Sequence, residues 1–422
     1  MIHKSHQEEE FQLQKIFADL ELKELQLKVL LDITQSINRN VKIDELLSIY
    51  ENFLKNELKV GKLALFTYDS HAEDLSILWK CSLFYGANPS LKTIDVFDLL
   101  QDIKHPQSIS TAHKTLNDFT YVIPVFHKDT PLAYLLIGNI RHAELDYNDD
   151  ILPFVQLITN IILVANENKR FAKEQIKQAE LKKEMSVAQK MQMMLFPELF
   201  AEHQSIEIYG TYIPHHRIGG DYYDYFSINE HEHIICIADV SGKGVSAALL
   251  MSNFQANLHA LIKHFTTLEA LITDLNTCVI KSAHGEKHIT FFVALANTQT
   301  YVLTYINAGH PPPILTNEKG IHLLKTGTTG LGMFEELPFL SMGYTKITQN
   351  CKLLCYTDGV IEIENSKGLQ FGIEGLEKFM VDTAHIKSLP ELHSLLIETL
   401  KTFNSSKTFL DDISLLSCRC KS

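Results

Sequence analysis

Clusters of basic residues are missing from this chain of 422 residues. The chain carries 38 Lys and Arg against 51 Asp and Glu, which gives a formal net charge of −13 at pH 7. Binding to a nucleic acid or to an anionic membrane surface needs clustered cations. Neither is therefore an expected partner.

Long apolar runs are also missing. Residues 1–10 are polar and acidic, without the apolar core of a secretory signal. The longest apolar segment, residues 151–165, is interrupted by Gln156, Thr159 and Asn160 and is too short to span a bilayer. We therefore expect a cytoplasmic protein with no membrane span.

Cysteine is sparse and irregularly spaced. The chain has seven cysteines, an odd number, and no two of them stand in a C-x-x-C arrangement. A disulfide framework or a cysteine-ligated zinc site would need paired, regularly spaced thiols. The cysteines are predicted to be reduced residues of apolar cores.

What is present begins with helical periodicity. The length allows two or three domains, each with its own core. In the first segment, residues 1–38, a helix is predicted over 8–35, because Leu13, Leu20 and Leu27 recur every seven positions. This helix is either a short coiled coil or one helix of the first domain.

Residues 39–165 have a mixed α/β pattern. Helices are predicted at 44–58 and 149–168, and strands at 62–68, 75–81, 120–126 and 133–140. This layout resembles a GAF domain, and the resemblance implies a sensor of a small molecule or a partner protein. Trp79, Cys81 and His105 either line a ligand pocket or belong to the core.

Residues 166–197 are predicted to continue the preceding helix as a linker. The segment contains no glycine and no proline before Pro197. A 4-3-4-3 spacing, typical of a coiled-coil seam, relates Leu181, Met185, Ala188, Gln192 and Leu195. The segment is either a solvated linker or, as we favour, a helix that makes the protein a homodimer.

Aspartates are concentrated in short motifs of the last part of the chain. Six of its eight aspartates lie in Gly-Gly-Asp-Tyr-Tyr-Asp (219–224), Asp-Val-Ser-Gly-Lys-Gly (239–244), Tyr-Thr-Asp-Gly-Val (356–360) and Asp-Asp-Ile-Ser (411–414). Carboxylates without His or Cys select Mg²⁺ or Mn²⁺ over zinc. Four such motifs therefore predict a two-metal hydrolytic site.

These motifs, with Asn-Ala-Gly-His-Pro-Pro-Pro (307–313), resemble the metal-dependent serine/threonine phosphatases of the protein phosphatase 2C fold. The bacterial branch typified by the stage II sporulation E phosphatase is the most similar. The resemblance implies an α+β fold over 198–422, an αββα sandwich of two antiparallel sheets. The predicted architecture is therefore a GAF-like sensor domain, then a helical linker, then this αββα domain.

The resemblance also implies roles for individual residues. Asp221 and Asp239 would hold two Mn²⁺ or Mg²⁺ ions, with Asp239 bridging them and the Val240 carbonyl as a further ligand. Asp358 and Asp411 would complete the second ion's ligands. All four aspartates are candidate catalytic residues. Asp412 stands where eukaryotic relatives have Asn and ranks below them.

Three further features of the resemblance leave alternatives open. Arg217 either binds phosphate or is a solvated loop residue. His310 either donates a proton to the leaving group or is a structural residue of a turn. Residues 325–338 resemble the family's mobile region beside the active site, which suggests a gate for metal or substrate.

The resemblance predicts a protein phosphatase of bacterial signalling. Its implied substrate is a phosphorylated anti-sigma-factor antagonist of the STAS type. The N-terminal domain would regulate the phosphatase domain through the linker and through the helix predicted at 245–251. Two alternatives are a degenerate phosphatase domain that only binds its partner and a hydrolase of small phosphate esters. Loss of metal-binding acids would mark a degenerate member, but all four are present here.

Overall fold

The computed structural model describes the chain except residues 1, 69–78, 94–95, 110–115, 128–129, 141–150, 198–199, 203–204, 216, 318–319, 349–350, 405–408, 410 and 422. The chain divides into two compact units, residues 1–178 and 179–422. In the part of the chain that is described, no helix is long and apolar enough to cross a membrane.

The first unit contains a five-stranded antiparallel sheet with helices against it. Its helices are α1 (Ile2–Asn38), α2 (Ile43–Asn52), α3 (Val96–Leu100) and the first part of α4 (Leu152–Met193). A π-helical turn, Phe53–Glu57, continues α2. The strands are β1 (Val60–Tyr68), β2 (Trp79–Tyr85), β3 (Gln107–Ser108), β4 (Tyr121–His127) and β5 (Thr130–Ile140), in the order β2-β1-β5-β4-β3.

The helix α1 contributes to the core of the first unit. Val29 and Ile33 are buried in a cluster with residues of α2, β1 and α4. The three leucines of the predicted seven-residue repeat are instead exposed, by 54%, 57% and 67%. Over its C-terminal half, α1 is therefore a helix of the domain.

The candidate pocket residues of this unit fall in different places. Trp79 packs on the ring of Tyr134, with 5.1 Å between ring centroids, in a second apolar cluster. Cys81 joins that cluster and also lines an open cavity of about 270 Å³. His105 is exposed. Part of the strand predicted at 75–81 lies outside the described residues, and the GAF resemblance stays a prediction.

The second unit is a four-layer αββα sandwich, as predicted. One sheet has the order β14-β11-β10-β9-β8, with β15 also paired to β11; the other has the order β13-β12-β16-β17-β7-β6. The strands are β6 (Phe200–Glu202), β7 (Ile206–Ile213), β8 (Tyr222–Ser227), β9 (Glu232–Val240), β10 (Ile289–Asn297), β11 (Val302–Ala308), β12 (Ile314–Asn317), β13 (Gly320–Leu323), β14 (Gly327–Thr328), β15 (Gly343–Lys346), β16 (Lys352–Tyr356) and β17 (Ile413–Cys420). All their pairings are antiparallel except the short one between β11 and β14.

Helices cover the outer face of each sheet. They are α5 (Val245–Ile262), α6 (Leu268–Ala283), α7 (Asp358–Ile361), α8 (Gly372–Asp382) and α9 (Leu389–Phe403). Alternation along β9 builds two layers, since Cys236 and Ala238 pack under α5 and α6 whereas Ile235 and Ile237 pack between the sheets. By the same period of two, Asp239 belongs to the inner face.

Candidate metal centre

Strand pairing brings the predicted acids to one end of the sandwich. Tyr222 pairs with Ala238, so Asp221, just before β8, stands opposite Asp239 near the end of β9. In the other sheet Tyr356 pairs with Leu415. The end of β16 therefore leads to Asp358, the first residue of α7, beside the start of β17, which Asp411 and Asp412 precede.

Two buried hydroxyls hold Asp221. Its side chain is 3% exposed, and its Oδ2 accepts hydrogen bonds from Thr357 Oγ1 at 2.8 Å and Ser414 Oγ at 2.7 Å. Burial, followed by the charges of Asp239 and Asp412, raises the pKa of Asp221 well above its usual value, although the two hydroxyls lower it. The carboxylate is thus fixed in direction but poorly solvated.

Asp239 has a similarly unfavourable environment for its charge. Burial, and then the neighbouring Asp358, raise the pKa of Asp239 to about 7, and a hydrogen bond with Asp221 opposes this rise. The environment thus favours the protonated form of both carboxyl groups more than water does. A bound cation would favour the charged form of both groups.

The remaining acids are engaged in different ways. Asp411 forms an ion pair with Lys243, with 2.7 Å between Oδ2 and Nζ. Asp412 accepts a hydrogen bond from the His215 backbone N–H at 2.8 Å. Burial, followed by the charges of Glu362 and Asp411, raises the pKa of Asp358.

Glycines allow the backbone to approach the acids closely. A Cβ on Gly220 would lie 2.9 Å from the Val240 carbonyl oxygen, so only glycine fits beside this predicted ligand. In the loop after β9, Gly242 and Gly244 have φ of 85° and 78°, conformations that side chains disfavour. The Ser241 hydroxyl accepts the His288 backbone N–H at 2.9 Å and ties this loop to the start of β10.

A small cavity lies among the acids. It is lined by Gly219, Gly220, Asp221, Asp239, Gly242, Lys243, Asp411 and Asp412, among others. The cavity has a volume of about 10 Å³, which is enough for one water molecule. Asp411 and Lys243 also line a neighbouring cavity of about 230 Å³, so their ion pair lies at the boundary of both.

The donors fit a hard divalent cation in kind and in charge. They are oxygen ligands only, and the charges of neighbouring carboxylates raise the pKa values of Asp221, Asp239 and Asp358. Among the described residues, however, no group of three His, Cys, Asp or Glu side chains is arranged to hold a metal ion. The ligand roles stay a prediction.

His310 is buried, and both of its ring nitrogens have hydrogen-bond partners. The side chain is 4% exposed; Nε2 donates to the Tyr356 carbonyl at 3.1 Å, and Nδ1 accepts from the Thr290 hydroxyl at 2.8 Å. Burial lowers the pKa of His310 to about 3. A neutral ring with both nitrogens hydrogen-bonded fits the alternative in which His310 is a structural residue of a turn.

Arg217 and residues 325–338 are tied to neighbouring helices. The Arg217 guanidinium donates to the Lys182 carbonyl of α4 at 2.6 Å. Asn276 of α6 accepts the Gly332 N–H at 2.8 Å and donates to the Phe334 carbonyl at 3.0 Å. Whether this segment gates the site stays a prediction.

Sequence reasoning missed several residues that surround the acids. Thr357 and Ser414 lie inside quoted motifs, next to Asp358 and two positions after Asp412, yet nothing in the spacing shows that they point at Asp221. From the sequence, Lys243 is only a residue of a glycine loop, and Gln192 is only a member of the linker seam.

Comparison with known proteins identifies the second unit. Residues 229–421 match the model of the family described as "Stage II sporulation protein E (SpoIIE)". The phosphoserine phosphatase RsbP of Bacillus subtilis is 30% identical over 186 residues, covering 43% of this chain and 46% of that protein. The phosphoserine phosphatase RsbU of the same organism is 27% identical over 194 residues, covering 45% of this chain and 57% of that protein. The chain thus spans about half the length of the curated relatives it matches.

A solved structure supports the fold. The SiaA-PP2C domain of Pseudomonas aeruginosa superposes with a TM-score of 0.52 at 18% identity, over 58% of this chain and 98% of that one. At this identity the likeness shows the fold alone. Residues 229–421 therefore match the stage II sporulation protein E family, and the second unit has the protein phosphatase 2C fold.

Proposed function

We propose that the chain is a metal-dependent protein serine/threonine phosphatase of bacterial signalling. The observation that carries the proposal is the carboxyl pair of buried Asp221 and partly buried Asp239, opposite each other at the strand ends, whose pKa values are both raised. The names of the two Bacillus subtilis relatives, both phosphoserine phosphatases, support the same reaction.

The chain's own residues would prepare the site for two Mn²⁺ or Mg²⁺ ions. Asp221, Asp239, the Val240 carbonyl, Asp358 and Asp411 are the proposed ligands. Bound ions would supply positive charge that lowers the pKa of a water and neutralises phosphoryl oxygens.

Before ions bind, the residues around these ligands already have defined tasks. Thr357 and Ser414 hold Asp221 in one orientation, so little rearrangement is needed there. Lys243 engages Oδ2 of Asp411 at the boundary between the two cavities, so the ammonium group would compete with a bound ion for this carboxylate.

The proposed substrate is a phosphorylated serine or threonine on a partner protein, a STAS-type antagonist by the resemblance described above. The test is release of inorganic phosphate from such a phosphoprotein with Mn²⁺, for the wild type and for Asp239→Asn. Metal-dependent release by the wild type, abolished in the variant, is the expected result. A wild type that is inactive on both the phosphoprotein and p-nitrophenyl phosphate would contradict the proposal.

A second candidate function is a binding module without catalysis. It is favoured by the lack, among the described residues, of a group of three side chains arranged to hold a metal ion. Under this alternative the protein binds the phosphorylated partner with or without Mn²⁺ and releases no phosphate, so the same assay separates the two functions.

Regulation by the N-terminal unit through a dimeric linker is part of the proposal. Exposed apolar side chains on α4, including Ile176, Leu181 and Met191, each more than half exposed, support a helix that pairs with a second copy. Of the predicted seam, Gln192 and Leu195 pack inside their own domain instead. Sedimentation of Leu181→Lys should therefore show a monomer; an unchanged dimer would contradict this linker contact.

A further inference from the structure

Gln192 is the buried polar residue near the end of α4. The helix is exposed at positions 181–184, but the Gln192 side chain is only 7% exposed. A buried amide must find hydrogen-bond partners, since an unsatisfied buried polar group destabilises the folded state. The partners that it finds belong to the segment that carries Asp221.

Both ends of the Gln192 amide bind one backbone residue. Nε2 donates to the Gly219 carbonyl at 2.7 Å, and the Gly219 N–H donates to Oε1 at 3.1 Å. We call this pair of bonds the Gln192 clamp. The clamp bonds the N–H and the carbonyl of Gly219, as a paired β-strand would. The position of Gly219 therefore depends on the position of the end of α4.

Gly219 lies between two of the acids. It precedes Asp221 by two positions, and a Cβ on it would lie 1.7 Å from Asp412 Oδ2 and 2.3 Å from the Tyr212 hydroxyl. The backbone here packs directly against the Asp412 side chain, and a larger residue would push the Asp412 carboxylate and the Tyr212 hydroxyl aside. A shift of Gly219 must therefore displace Asp412, Asp221 or both.

Phe196 contacts the same segment from the next turn of the chain. Its ring stacks on Tyr212 with 4.8 Å between centroids and lies 5.8 Å from Tyr222 and 5.1 Å from Tyr223. Gln192 contacts the chain before Asp221 and Phe196 contacts the chain after it. The end of the linker is thus connected to Asp221 on both sides.

We propose that Gln192 is a positioning residue that couples the end of the linker helix to the placement of Asp221 and Asp412. The inference rests on the proposed function, because it assigns the clamp a role in forming the metal centre. The proposed coupling does not involve α5. Gln192 of α4 contacts Gly219, and Gly219 in turn contacts Asp412 and precedes Asp221.

The test uses the full chain and Gln192→Met, which keeps the size of the side chain and removes both hydrogen bonds. Loss of a direct hydrogen-bond partner of a metal ligand typically weakens metal binding by about 10–100-fold, and Gln192 acts one step further out, through the backbone of Gly219. We expect a loss of at most this size in the affinity for Mn²⁺ alone, measured by calorimetry. In the metal-free protein we expect faster hydrogen exchange at the Gly219 amide.

Two controls separate positioning from general stability. Lys190→Met changes an exposed residue of the same helix and should leave the Mn²⁺ affinity and Gly219 exchange unchanged. Leu396→Ala removes a fully buried side chain of α9 and should lower the melting temperature without a change in Mn²⁺ affinity. If Gln192→Met does not fold, Gln192→Asn takes its place, because it keeps an uncharged amide that is one methylene too short to bond both groups of Gly219.

The outcomes decide between the two proposals. Wild-type affinity in a folded Gln192 variant, or an equal loss in Leu396→Ala, would overturn the positioning role while the metal centre stands. If the wild type itself binds no Mn²⁺, the metal centre is wrong, and exchange at Gly219 still decides whether the clamp fixes this segment.

Discussion

Asp221 illustrates how single residues prepare this site. Its Oδ2 receives two hydroxyl hydrogen bonds from residues that lie 136 and 193 positions further along the chain. The Thr357 hydroxyl also accepts the Ser414 backbone N–H at 3.0 Å, so the three groups form one network. Hydrogen bonds to a carboxylate favour its charged form, which is the form that binds a cation.

Removal of one of these hydroxyls should weaken metal binding. In Ser414→Ala the pKa of Asp221 rises further because a donor to the carboxylate is lost, and we expect a roughly tenfold loss of Mn²⁺ affinity by calorimetry. Ser417→Ala, in another fully buried serine of β17, is the matched control. Both variants should lose about 1–2 kcal/mol of unfolding free energy. Equal Mn²⁺ affinity in the two variants would contradict the role of Ser414.

Lys243 should act as a competitor for Asp411. The ion pair is partly exposed, with side-chain exposures of 51% and 32%, so it contributes at most about 1 kcal/mol. Lys243→Met should therefore tighten Mn²⁺ binding by up to about fivefold. Lys281→Met removes the same charge from an exposed position of α6 and should have a smaller effect. Weaker Mn²⁺ binding in Lys243→Met would mean that Lys243 supports the site.

Among the elements, α9 is joined to the sheet beneath it through a buried histidine. His393 is 1% exposed, and its ring nitrogens bond the hydroxyls of Thr211 in β7 and Ser417 in β17, each at 2.8 Å. Burial lowers the pKa of His393 to about 3. The neutral ring therefore belongs to the folded state.

This histidine should make the domain sensitive to acid. Above pH 6.5 the ring is neutral in both states; as the pH falls from 6.5 toward 3, only the unfolded chain takes up the proton, and stability is lost. The loss is about 1.4 kcal/mol per pH unit for one group. His393→Gln should reduce the slope of unfolding free energy against pH in this window, whereas exposed His385→Gln should not. Equal slopes in the two variants would contradict the assignment.

The elements also show how far sequence reasoning reaches. The aspartate motifs and their order carry the resemblance to a known family, and it was that resemblance that predicted the sandwich. The hydroxyls on Asp221 depend on the pairing of β16 with β17, which no local pattern encodes. The spacing of Gln192 fits a coiled-coil seam equally well, and only the position of Gly219 shows that it faces its own domain.

At the scale of the whole molecule, the net charge is −13, and the acids at one end of the sandwich contribute to it. At least three carboxyl groups at one end of the sandwich have pKa values raised by burial and by one another. Such a group of acids destabilises the fold unless protons or cations neutralise it. The central claim is that divalent cations neutralise these carboxyl groups.

The most direct test of that claim is a calorimetric titration of Mn²⁺ into the full chain and into Asp239→Asn. The account predicts saturable binding by the wild type and an affinity at least about tenfold lower in the variant, because the proposed bridging carboxylate is lost. Absence of Mn²⁺ binding by the wild type, or equal binding by the two proteins, would contradict it.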